Sequence, residues 1–273
     1  MHFNFDDKRF CYPLIKISTE ERLLDLQRGN LYLKNACYYR VIENGNKISG
    51  QADLLESSIP YYGNAFKSLP LEETEGHYSL VNPNTFISCF FGLNESNVVE
   101  SSENWRIFRI NRESDRILEF GDHALVIFPL EKIVQSFYDI KDYDNAFCGY
   151  VHYHDLSNQD VANKITEDLL KQRQGKTKKA ILPELIKDST YEYQQEFRFV
   201  VHTGFDPNVV VSEYSTNTLA DYESKVSNKK ITDNIRISFG NLEEISCICR
   251  TKDLLDKKLA IKWSPDGVSL GFL

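Results

Sequence analysis

Residues 191–201 read Tyr-Glu-Tyr-Gln-Gln-Glu-Phe-Arg-Phe-Val-Val, and no other run narrows the fold as much. The second half is a strand by its pattern. Phe197, Phe199 and Val201 share one face, Arg198 and Val200 the other, and β-formers dominate. Continued backwards in extended geometry, the alternation puts Glu192, Gln194, Glu196 and Arg198 on one face. A row of amide, carboxylate and guanidinium groups beside aromatic rings has two readings. It is either the solvated face of an amphipathic edge strand or the rim of a ligand site.

Such a strand needs partners and a core, and the chain supplies both. It is 41% hydrophobic over 273 residues, which is enough to bury a large core and excludes wholesale disorder. Without a repeat, a low-complexity linker or a break in pattern, a single domain over residues 1–273 is expected. The net charge of -8 excludes a broad nonspecific grip on a nucleic-acid backbone but leaves room for a local basic pocket. No apolar run is long enough for a membrane span, and the acidic start is unlike a signal peptide, so no membrane partner is expected. The six cysteines form no Cys-x-x-Cys pair, and reduced thiols in a cytoplasmic protein are expected.

Residues 12–34 are expected to form a β-α-β unit, with Ser18 and Glu21 as a capping box and Gly29 as the helix stop. Lys16 is the one charge in the first strand, and it fits either a lysine snorkelling from a sheet edge or a phosphate or carboxylate contact. A polar, loop-rich stretch follows, with Tyr39, Arg40, Glu43, a turn at Asn44-Gly45-Asn46, and then Asp53 and Glu56. Residues 59–84 are weakly patterned, whereas 85–91 read as a buried strand that carries Ser88. Arg109, Arg112 and Arg116 have helical spacing. A strand at 123–128, a helix at 130–138, a strand at 149–155 and a helix from 157 to 171 come next. His152 and His154 have metal-ligand spacing without an identifiable third ligand. Gly175-Lys176-Thr177 lacks the preceding strand and glycine of a phosphate loop and reads as part of a solvated basic loop. Further strands are expected at 209–211, 235–239, 245–249 and 259–263, with a short helix at 253–257.

Lys16, Phe86-x-Ser88 and Gln194-x-Glu196, in that order, resemble the motif set of ADP-ribosyltransferases. The chain also looks like a family of uncharacterised bacterial and prophage proteins. The residues that carry this are Tyr39-Arg40…Asp53-x-x-Glu56, Cys89-Phe90 and Tyr193-x-x-Glu196-x-Arg198, spread over about residues 12–250. It departs from the transferase pattern in having Lys on the first strand, where Arg or His is usual, and Cys89-Phe90 where Thr-Ser often follows the serine. The resemblance implies an α+β fold of split mixed β-sheets with flanking helices, and NAD as substrate.

It also implies roles. Glu196 would hold the ribose 2′-hydroxyl and counter an oxocarbenium-like state, and Gln194 would face the acceptor. Ser88 would support the nicotinamide or orient Glu196. Lys16 and Arg40 would neutralise the pyrophosphate, and Tyr39 or Phe90 would stack on the nicotinamide ring. Asp53, Glu56 and Arg198 join the NAD-binding set through the shared motifs. The acceptor would be a macromolecule, a base of RNA or DNA or a protein amide, because an amide such as Gln194 pairs well with such groups. The prophage resemblance implies a toxin or anti-phage defence effector, with an antitoxin or a phage protein as a further partner. Two alternatives remain: a metal-dependent nuclease or hydrolase using Asp53, Glu56 and Glu196, and a non-catalytic module binding a nucleotide or phage protein.

Overall fold

In the computed structural model the described residues are 12–45, 59–60, 72–74, 77–79, 84–110, 117–140, 145–173, 175–177, 182–204, 219–229, 231–264 and 267–273. The chain opens with β1 (Leu14–Ser18), α1 (Glu20–Gln27), β2 (Asn30–Asn35) and α2 (Ala36–Gly45). Three short strands, β3 (Ile59–Pro60), β4 (Glu72–Thr74) and β5 (His77–Ser79), form a small sheet of their own. Then come β6 (Thr85–Gly92), the hairpin of β7 (Val98–Ser102) and β8 (Trp105–Phe108), β9 (His123–Ile127) and α3 (Leu130–Tyr138). β10 (Asn145–Tyr150), β11 (His152–His154), α4 (Gln159–Arg173) and β12 (Ile186–Asp188) follow. They lead through a 3-10 helix (Ser189–Gln194) into β13 (Glu196–His202). The chain finishes with α5 (Leu219–Ser227), β14 (Asn234–Ser238), β15 (Ser246–Arg250), α6 (Thr251–Asp256), β16 (Leu259–Ser264) and β17 (Gly267–Phe272).

The fold is α+β. Its main sheet has eight strands, with β10-β13-β6-β1-β9-β15 in one path and β2-β14 branching from β6. All its pairings are antiparallel, and the parallel pair among the described residues is β11 with β12. The expected mixed character is thus confined to that small pair.

Alternation sorts the apolar residues to two cores. Leu125 and Ile127 of β9 enter a core shared with Leu23 and Leu26 of α1 and with Ile133 and Phe137 of α3. Ala124 and Val126, on the other face, meet Phe108, Leu259 and Ile261 of the four-stranded sheet β17-β16-β8-β7. Each large apolar side chain buried this way contributes about 1.5–3 kcal/mol.

One edge of β6 carries the main architectural feature. Along its other edge β6 pairs with β13 over its whole length. On this edge β1 takes Phe91 and Gly92, β2 takes Phe86 and Ile87, and the two strands separate between them. The expected β-α-β unit is present, but its strands do not lie side by side. They follow one another along β6, and α1 links them across the gap.

Several expectations need correction. Thr19, not Ser18, precedes α1, and no side-chain cap bond forms, because Ser18 is still paired in β1 with His123. The expected loop around Tyr38–Arg40 is the helix α2. Of the arginines at helical spacing, Arg109 follows β8 outside any helix, its amide donating to the Asn97 carbonyl oxygen at 2.8 Å, and Arg112 and Arg116 lie outside the described residues. The strand expected at 149–155 is two strands, and the one expected at 209–211 lies outside the described residues. The described cysteines Cys37, Cys89, Cys148, Cys247 and Cys249 are free thiols. Among the described residues no helix is long and apolar enough to cross a membrane.

Gly29 ends α1 with φ at +96°, and its carbonyl accepts from the Phe239 amide at 3.0 Å. A Cβ there would stand 2.0 Å from the Gly240 carbonyl oxygen, which is backbone and cannot swing away. Gly29→Ala should therefore destabilise the fold by at least about 1–2 kcal/mol, the cost of the left-handed conformation alone. Chemical denaturation checks this; an unchanged midpoint would mean that the α1 terminus is not pinned in this way.

Candidate functional site

The gap in the sheet is a cavity of about 480 Å³. Its walls come from α1, β2, α2, β6, β13 and the 3-10 helix before β13, which brings distant parts of the chain together. Tyr39, Phe90, Lys16, Ser88, Gln194 and Glu196 all line it, as does Arg198.

Lys16 leaves β1 where that strand parts from β6. Its Nζ donates to the Cys89 carbonyl oxygen at 2.6 Å and to Ser88 Oγ at 3.2 Å, and sits 4.9 Å from the centre of the Phe90 ring. Among the described residues no carboxylate lies within ion-pair distance of it. Burial lowers its pKa from the ordinary lysine value, and the more distant Glu196 carboxylate only partly opposes this. An ammonium without a counter-ion in a cavity is an unusual and costly arrangement.

Glu196 is placed by a change of backbone. The expected extended run is broken, because residues 189–194 form a 3-10 helix, capped by Asp188, whose side chain accepts from the Thr190 amide at 3.0 Å. Gln195 then takes the left-handed conformation, φ 41°, and turns the chain into β13. Gln194 and Glu196 therefore reach the same cavity by a turn rather than by strand alternation, and Glu192 is exposed instead of joining them. The strand itself is central, between β10 and β6, and not an edge.

The carboxylate of Glu196 is clasped on both sides. Lys187 Nζ donates to Oε1 at 2.7 Å and Arg198 Nε to Oε2 at 2.7 Å. All three side chains are nearly sealed from solvent, at 3% exposure for Lys187, 8% for Glu196 and 0% for Arg198. Burial pushes the carboxyl pKa up, but the Arg198 and Lys187 cations outweigh it and hold the group well below the usual carboxylate range. Lys187 also donates to Gln194 Oε1 at 2.7 Å, and Arg198 donates to the Glu184 carbonyl oxygen at 2.7 Å. The Glu196 amide donates to the Tyr153 hydroxyl at 2.8 Å.

The placements differ from expectation in several respects. The register sets Ser88 opposite Phe199 and Cys89 opposite Arg198, so Ser88 stands on the other pleat face from Glu196 and does not orient it. That task falls to Lys187 and Arg198. Phe90 is a core side chain at 2% exposure, packed edge-on against Phe199, which leaves little ring for stacking on a ligand. Arg198, expected to touch cofactor, is a fully buried counter-ion. Asp53, Glu56 and the side chain of Arg40 lie outside the described residues. His152 and His154 lie on β11, and among the described residues no group of three or more His, Cys, Asp or Glu is placed to hold a metal.

Lys187, Tyr153 and Glu184 were not singled out by the pattern. A usable signal existed for the first. Leu185-Ile186-Lys187 sets a lysine directly after two apolar residues, as Leu14-Ile15-Lys16 does. No family model matches the chain, and neither a curated protein nor a solved structure matches it.

An exposed catalytic carboxylate could be removed without loss of stability, and that is what the sequence alone leads one to expect of Glu196. In this setting its removal takes away a buried carboxylate that both the Lys187 and the Arg198 cations contact. Glu196→Ala should cost about 3–5 kcal/mol. Because the folded carboxyl titrates below its unfolded value of about 4.3, the stabilisation is complete above that pH and is lost as the pH falls beneath it. Urea unfolding at neutral and acid pH measures this. A Glu196→Ala protein as stable as wild type at neutral pH would contradict the buried ion network.

Proposed function

We propose that the chain is an ADP-ribosyltransferase that cleaves the nicotinamide–ribose bond of NAD and passes ADP-ribose to a macromolecule. The carrying observation is Lys16, a half-buried lysine in the same cavity as Glu196 and Gln194, with no carboxylate at ion-pair distance among the described residues. The surroundings agree with an anionic ligand. Six basic side chains line the cavity (Lys16, Arg22, Lys34, Lys187, Arg198 and Arg236) against two acidic ones, Asp25 and Glu196. This happens in a chain of net charge -8, so the basic excess is local. The volume suits a ligand of nucleotide size.

The chemistry follows from the groups present. The glycosidic C–N bond breaks with its electron pair leaving on the nicotinamide nitrogen, and positive charge develops on the ribose. Glu196 is ionised at physiological pH and faces that charge from a fixed position, with no reorganisation needed at the moment of reaction. An acceptor nucleophile then bonds to the ribose carbon and loses its proton. Lys16 neutralises the pyrophosphate, and Tyr39 supplies a ring at the wall. Gln194, beside Glu196, faces the acceptor, which favours a nucleic-acid base or an amide side chain. The role as a toxin or anti-phage effector, with an antitoxin or phage protein as partner, rests on the likeness to prophage-borne proteins.

A second reading, a module that binds a nucleotide without turning it over, is favoured by one observation: both oxygens of Glu196 already accept hydrogen bonds from within the protein. Divalent-metal hydrolysis is disfavoured at Glu196, since a carboxylate held between an ammonium and a guanidinium is a poor cation ligand.

The test uses NAD labelled in the adenylate half, incubated with the protein and total cell lysate, followed by nuclease or protease. Nicotinamide release together with label in one fraction is expected. Binding of NAD without release would favour the second reading. Lys16→Met should raise KM for NAD by about tenfold, the weight of one charge-assisted contact. An unchanged KM in the folded variant would count against a phosphate contact at Lys16.

A further inference from the structure

The amide of Gln194 is not free to choose its orientation. A lysine ammonium carries three donors and no acceptor, so whatever atom stands 2.7 Å from Lys187 Nζ must accept. That atom is Gln194 Oε1, because turning the amide over would set its NH2 against the ammonium, donor against donor. Lys187 itself is fixed. Its backbone is in register with Tyr153 in the β11–β12 pair, its Nζ stands 4.4 Å from the centre of the Tyr191 ring, and its side chain is 3% exposed. The same ammonium holds Glu196 Oε1 at 2.7 Å. The Nε2 side of Gln194 points to the Tyr193 hydroxyl at 3.3 Å, a long bond that a better acceptor can displace.

We propose that Lys187 is the positioning residue of this site. It fixes Gln194 as a hydrogen-bond donor toward a bound acceptor molecule and fixes Glu196 against the reacting sugar. The inference rests on the transferase reading above and sharpens it. The group that meets Gln194 is itself a hydrogen-bond acceptor, a carbonyl oxygen or a ring nitrogen, and not a guanidinium, which offers only donors. A lysine here is therefore a specificity determinant two removes from the chemistry. It acts through the two side chains it holds and decides which polarity the amide shows.

The experiment compares wild type with Lys187→Met, which keeps the length and drops the donors, and Lys187→Arg, which keeps the charge. In folded Lys187→Met, kcat for nicotinamide release should fall by about a hundredfold, the scale for a misplaced catalytic group, with KM for NAD within about twofold. A new loss of rate should appear on the acid side as the Glu196 carboxyl moves up toward its ordinary value of about 4.3. Lys187→Arg should restore most of the rate. A folded Lys187→Met with unchanged kcat and pH profile overturns the proposal. Wild-type label transferred to agmatine in preference to nucleosides or free amides overturns its specificity half. If wild type releases no nicotinamide at all, the transferase reading fails. The positioning is then read from the 13C resonance of the Glu196 side-chain carboxyl, assigned with Glu196→Gln. An acid titration that does not move between wild type and Lys187→Met overturns it. Lys187→Gln, neutral but able to donate one hydrogen bond, carries the same readings if Lys187→Met does not fold.

Discussion

A strand in a sheet has two hydrogen-bonding edges, and on β6 one of them is divided between two neighbours. β13 occupies the whole of one side. On the other, β1 and β2 each hold one end and part in the middle. The rest of the molecule follows from this division. One branch continues into β9 and β15 and packs on the second sheet, and the other continues into β14. α1 bridges the two, and its buried Leu23 and Leu26 tie it to the main core. The hollow thus originates in strand pairing, and helices and 3-10 segments complete its walls.

The divided edge also explains Lys16. Backbone carbonyls that face a gap need a donor. The Lys16 amine meets that need at Cys89 and lies against the Phe90 ring, partly desolvated and with no carboxylate at ion-pair distance among the described residues. On the far side the opposite arrangement holds: Glu196 has two counter-ions where one would balance it. Among the described residues that line the cavity, basic side chains outnumber acidic ones six to two, within an acidic protein. A bound anion would relieve this excess, and the preference is built into the fold before any ligand arrives.

How much of this was legible in the sequence depends on how local its causes are. The strand at 85–91 and the strand half of 191–201 follow from alternation, and α3 begins and ends where its apolar spacing does. Lys16, Gln194 and Glu196 could be singled out because each interrupts an otherwise apolar or aromatic context. What failed depends on backbone shape and on register. Tyr191-Glu192-Tyr193-Gln194 alternates like a strand but winds into a 3-10 helix, because Asp188 caps it and Gln195 accepts a left-handed turn. The separation of Ser88 from Glu196 comes from the pairing register, where a shift of one residue reverses a side chain's face, and no single strand carries that information. Lys187 was hidden because its importance lies in two partners seven and nine positions away, joined through a turn.

The clasped glutamate has a consequence for lineage. A carboxylate that bridges two sealed cations is maintained by selection for folding alone, so a descendant that has lost every reaction would still keep it. Lys16 is in a different situation, since desolvation opposes its charge and no carboxylate among the described residues repays it. Among divergent copies of this chain, drift at position 16 with residue 196 intact would mark those that have given up their ligand.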